Sequence, residues 1–269
     1  MKIRIGYELV YDCPQPTPMI LMLNVHFSRV SDLITPDHMR LTPAIPLVGY
    51  RDSFGNWCTR ILAPAGETRI SSDAMIYDSG RPDPVPTEGW QSPVENLPEE
   101  TLVYLLGSRY CETELLLPIA WKLFGEIPPG WPRVQAISNF VHRHIKFGYH
   151  HARPTKTAWE AYQEGTGVCR DFAHLGVTMC RAMNIPARYC TGYLPDIGVP
   201  LSPDPMDFAG WFEAFIDGRW YTVDPRNNVT RIGRILMARG RDAADVAITT
   251  TFGPNALRVF KVVADEVPE

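Results

Sequence analysis

From Lys2 to Tyr11 the chain alternates Ile3, Ile5, Tyr7, Leu9 and Tyr11 on one face with Lys2, Arg4 and Glu8 among the other positions. This is the period-two pattern of a half-buried strand. Ile20 to Val30, Trp57 to Leu62 and Thr68 to Tyr77 predict further strands. The second of these follows Asp52-Ser53-Phe54-Gly55-Asn56, a cluster of turn residues that signals a hairpin. Between Ser79 and Pro98 the chain carries Pro82, Pro84, Pro86, Pro93 and Pro98. Such a stretch holds neither a regular helix nor a central strand, so it divides a β-rich N-terminal domain, residues 1–95, from a core, residues 96–269.

Helical spacing begins after that boundary. Val134, Ile137, Val141 and Ile145 predict a helix over Pro132 to Ile145, with the proline in the first turn where it is tolerated. Thr157 to Gln163 reads as a short helix ended by Gly165, and Cys169 to Met183 as a longer one stopped by Asn184-Ile185-Pro186. Strands follow at Arg188 to Tyr193, Trp211 to Ile216 and Arg219 to Val223. The last two are joined by Asp217-Gly218, a tight-hairpin signal. Thr249 to Gly253 and Val259 to Val263 predict closing strands against one of the sheets. Helices followed by antiparallel strands place the core in the α+β class.

Composition narrows the function. The 269 residues are 45% hydrophobic and 21% charged, enough apolar material for a real core, which excludes disorder. A net charge of -4 gives no basic excess to attract nucleic acid, and no apolar run is long enough for a membrane span. Charged Lys2, Arg4 and Glu8 stand where a secretory signal needs an apolar segment, so a cytoplasmic location is expected. Cysteines 13, 58, 111, 169, 180 and 190 form no CxxC pair and read as free thiols. His150, His151, Cys169 and Asp171 lack any standard metal-ligand spacing, so neither a metal nor a cofactor is expected. Arg231, Arg234, Arg239 and Arg241 read as a solvated face, with an acidic peptide or carboxylate ligand as the sharper alternative.

The chemistry concentrates in Gly165-Thr166-Gly167-Val168-Cys169-Arg170-Asp171-Phe172-Ala173-His174-Leu175. A Gly-x-Gly loop delivers Cys169 to the first turn of a helix, where free amides and the positive dipole end favour a thiolate. The same amides suit an oxyanion. Asp171 stabilises the turn but works against a neighbouring thiolate, whereas Arg170 works for it.

That stretch resembles the core of bacterial transglutaminase-like proteins. So do Arg181 to Tyr189, Gly192-Tyr193, Trp211-Phe212-Glu213-Ala214-Phe215 and Gly218 to Asn227, in order from about Trp131 to the late 220s. The β-rich first part looks like the N-terminal domain that often precedes this core. The resemblance implies a papain-like α+β core and acyl transfer through a thioester, by a Cys–His–Asp triad. Cys169 falls on the nucleophile and Asp224 on the acid. The histidine position, two residues before Trp211 and just after Asp207-Phe208, is Ala209, and no histidine follows His174.

Two substitutes are available for the absent base. His151 lies in a loop leading toward the cysteine turn. His174 lies five residues after Cys169, about 140° around the helix, and reads first as a core residue. Trp159, Asp171, Asp207 and Trp211 are expected to wall or support the cleft. A positioned base contributes about 100- to 10,000-fold. Two readings therefore stand side by side. One is a thiol-dependent amide or peptide hydrolase, or an acyltransferase, with an unconventional base. The other is a non-catalytic module that binds a peptide or serves as a scaffold. Either way the expected partner is a peptide or protein.

Overall fold

The computed structural model describes residues 1–268. The N-terminal region is built from β1 (Lys2–Cys13), β2 (Thr17–Leu21), β3 (Leu33–Thr35), β4 (Arg40–Thr42), β5 (Leu47–Arg51), β6 (Trp57–Ala63) and β7 (Gly66–Tyr77). Ile3, Ile5, Tyr7 and Leu9 are all buried, as their alternation predicts. The strand expected over Ile20 to Val30 stops at Leu21. His26 redirects the chain there: its Nδ1 accepts the Ser28 amide and caps a 3-10 turn over Phe27–Asp32.

The core carries α1 (Glu99–Leu102), α2 (Thr113–Phe124), α3 (Trp131–His144), β8 (Lys146–Phe147), α4 (Ala158–Glu164), β9 (Thr166–Gly167) and α5 (Cys169–Ala182). Then come β10 (Ala187–Tyr193), β11 (Ala209–Ile216), β12 (Arg219–Val223), β13 (Ile235–Gly240), β14 (Thr249–Thr251) and β15 (Ala256–Val267). Asp217 and Gly218 both take positive φ, 50° and 72°, the geometry that lets a two-residue turn match strand twist.

Strands β12, β11, β10 and β13 form the antiparallel core sheet, in that order. One face packs on α5, whose residues from Asp171 to Ala182 are all buried. The approach is close: a Cβ on Gly176 would lie 2.4 Å from the Phe212 ring. The C-terminal strands return to the first domain, β15 pairing with β1 and β14 with β2. A second apolar core joins Ile5, Leu9, Met19 and Ile61 to Tyr193 and Met237 of the core sheet. The N-terminal sheets and the core sheet therefore share buried surface, at about 25 cal/mol per Å².

The arginine segment departs from its expected solvated face. Arg231 and Arg234 are buried, Arg231 on Asp196 at 3.1 Å and Arg234 between Asp83 at 3.1 Å and Asp224 at 3.0 Å. Buried guanidinium groups persist only where carboxylates meet them, and this segment supplies such partners from three parts of the chain. No helix among the described residues is long and apolar enough to cross a membrane.

Candidate functional site

Local structure delivers the thiol. Thr157 and Glu160 form a reciprocal cap on α4, and Gly165 ends it at φ 62°, a conformation glycine adopts without strain. The chain then pairs β9 in parallel with β8, and Cys169 opens α5. The buried Asp171 carboxylate accepts the Val168 amide at 2.9 Å and lies 3.4 Å from the Arg170 guanidinium. Gly210 allows the start of α5 to sit against β11. Any Cβ there would meet the Tyr189 hydroxyl at 2.6 Å.

Cys169, Asp207, Ala209, Asp224 and Arg226 line one cleft of about 70 Å³, with Phe147 and Tyr149 on its wall. The thiol stays half-buried. Helix placement does not produce the expected thiolate. Burial and the Asp207 carboxylate push the thiol up to about 11, outweighing the Gly210 and Arg170 amides and the Arg226 guanidinium. Asp207 is itself raised by burial, against the Phe208 amide that it accepts at 2.7 Å.

Asp224 accepts three hydrogen bonds. One oxygen accepts the Asn227 side-chain amide at 2.8 Å and the Arg234 guanidinium at 3.0 Å. The other accepts the Asn227 backbone amide at 3.2 Å. The Arg234 guanidinium also lies 4.6 Å from the Trp211 ring centroid. Asp224 is thus an anchor for a buried cation, bonded to Arg234 rather than to Arg226.

The histidines lie elsewhere. Neither His150 nor His151 lines the cleft. The two rings pack on each other at 3.9 Å, and burial together with His150 and Lys156 lowers the His151 pKa. Tyr149 is the residue of that turn that faces the thiol. His174 is wholly buried between Tyr110 and Tyr189, where its Nε2 accepts the Ala243 amide at 3.1 Å. Burial holds its pKa well below the ordinary value, so it stays neutral. Trp159 packs on Tyr162, and Trp211 lies in the sheet interior. Neither walls the cleft. Among the described residues no three His, Cys, Asp or Glu side chains converge as metal ligands.

Helix, opposing antiparallel sheet and a thiol at the helix start define a transglutaminase-like core. Residues 123–225 match the family model described as the transglutaminase-like superfamily. The chain is also similar to a crystal structure described as a candidate cysteine protease from Cytophaga hutchinsonii, with 28% identity and a TM-score of 0.86. That likeness covers 100% of this chain and 91% of the other. An uncharacterized protein of Mycobacterium leprae is 39% identical over 92 residues. The stretch is 33% of this chain, and the chain spans only 32% of that relative's length.

Proposed function

We propose that the protein is a peptide-binding module on a transglutaminase-like core, with the Cys169 cleft as its docking site. The observation that carries this reading is the cleft's lining, which holds the Asp207 carboxylate and no imidazole among the described residues; burial and Asp207 push the thiol there up to about 11. At pH 7 such a thiol is ionised to roughly one part in 10,000. Asp224, the residue that would orient an imidazole, is held by Arg234 and Asn227. The cleft still offers Phe147 and Tyr149 as apolar walls and the Arg226 guanidinium as a donor.

A second reading rests on the sulfur's own surroundings. The Gly210 and Arg170 amides favour negative charge on it, and it remains half-buried rather than sealed. A slow acyl transfer in which the substrate supplies the base would use those amides.

One experiment separates the two. The protein is incubated with p-nitrophenyl acetate, or with a tryptic casein digest, at pH 7.5, and its intact mass is followed. The binding reading expects no Cys169-dependent acyl adduct, together with casein peptides that protect Cys169 from iodoacetamide. A thioester that forms on the wild-type chain and disappears in Cys169→Ala contradicts it and supports the hydrolase or acyltransferase.

A further inference from the structure

The core sheet has a second face. Cross-strand partners share a face, so Arg188 beside Glu213, and Cys190 beside Trp211 and Arg239, point away from α5. The N-terminal sheets cover only part of this reverse face. The remainder is a cleft of about 760 Å³ between α1, the Asp52–Asn56 turn and the sheet.

Its lining combines aromatic rings with charges of both signs, Arg188, Arg239 and Arg241 against Glu99, Glu100 and Asp245. Phe54, Tyr104 and Trp220 form a chain of rings, 6.2 Å and 5.3 Å apart. Arg188 lies 3.9 Å from the Trp220 centroid and is bound to Glu213 at 2.5 Å. Arg241 is held by Asp245 through two bonds of 2.9 and 3.0 Å. Arg239 differs. Its guanidinium meets no hydrogen-bond acceptor and no carboxylate among the described residues. Its main chain, by contrast, is clamped: the wholly buried Asn56 accepts its amide at 2.9 Å and donates to its carbonyl at 2.8 Å. The turn that contributes Phe54 to the cleft thereby also fixes the strand position of Arg239.

We propose that this cleft is a second binding site, for a small monocarboxylate carried on an aromatic body. Arg239 anchors the carboxylate, and Phe54, Tyr104 and Trp220 surround the ring. A planar guanidinium matches a carboxylate through paired N–H donors, and a desolvated setting strengthens that bond. Burial and the neighbouring Arg188 disfavour the Arg239 charge and outweigh the Glu213 carboxylate, so a bound anion adds the compensation that Glu213 leaves incomplete. The same field reaches His26, which burial and the Arg239, Arg188 and Arg51 cations hold neutral, with a pKa of about 4. Glu99 and Glu100 on the rim set the upper limit of ligand charge and select against phosphates. Volume fits as well, since small-molecule sites run from roughly 300 to 1,000 Å³.

The test uses the full chain, with phenylacetate titrated by calorimetry and tryptophan fluorescence. A dissociation constant on the order of 1 mM or tighter is expected for so small a ligand. Phenylacetamide, its neutral counterpart, should bind at least about 10-fold more weakly, and Arg239→Gln should weaken phenylacetate by about 10- to 100-fold. Saturating phenylacetate should leave the rate of Cys169 alkylation by iodoacetamide unchanged, because the two clefts share no lining residue. No saturable binding by about 10 mM overturns the proposal. So do equal binding of phenylacetamide, indifference to Arg239→Gln, and protection of Cys169.

Discussion

Two arginines between β12 and β13 and the arginine within β13 are treated in opposite ways. Arg231 and Arg234 have found carboxylates within the chain: Asp224 and Asp83 on Arg234, and Asp196 on Arg231. On the reverse side Arg239 is held in place by its backbone while its guanidinium stays without a carboxylate among the described residues. A paired guanidinium holds the fold, whereas an unpaired one leaves charge for a ligand.

The sharpest way to break this contrast is to remove the central cation. Arg234→Met leaves Asp224 and Asp83 buried without their partner and should cost about 3–5 kcal/mol of stability, read by urea denaturation. Adding Asp224→Asn should return part of that loss, because the two sites are coupled. A stability change below about 1 kcal/mol would mean that the pairs are solvent-screened and do not hold the fold.

Restoring an imidazole tests the thiol side. Ala209→His should raise Cys169 alkylation at pH 7.5 by roughly 10- to 100-fold, the low end of general-base effects, because Arg234 and Asn227 already occupy Asp224. Removing the repulsive carboxylate acts in the same direction but less strongly. Asp207→Asn should lower the thiol pKa and speed alkylation at pH 8 by about 3- to 10-fold. The smallest effect is expected on the reverse face. Arg239→Gln should change stability by no more than about 0.5 kcal/mol, since no partner is orphaned, in contrast with Arg234.

The fold was legible wherever local chemistry agreed with packing. The alternation in β1, the Asp217-Gly218 turn and the apolar stripe of α5 all point to elements that the chain forms. α2 was hidden by Pro118 in its interior. β13 was hidden by the arginines around it: Arg231 and Arg234, just before the strand, find their carboxylate partners at residues 83, 196 and 224 only with tertiary structure. The site divides in the same way. Cys169, Asp207, Ala209 and Asp224 come together as the motif order implies, whereas Tyr149 and Arg226 complete the cleft unannounced. In the Gly148-Tyr149-His150-His151 turn the histidines drew notice by residue type, yet backbone geometry presents the tyrosine. For the thiol, the helix start alone favours a thiolate. Burial and Asp207, both tertiary effects, outweigh it.

The central claim is that Cys169 is an unactivated thiol in a retained cleft. Its direct test is the pH profile of iodoacetamide alkylation at this one cysteine, followed by peptide mass mapping with Cys169→Ala as control. A rate that climbs about tenfold per pH unit through neutrality and is still rising at pH 10 is the result predicted by a thiol at about 11. A rate that levels off near pH 6 to 8, at or below the ordinary thiol range of about 8.5, would contradict it and return the cleft to catalysis.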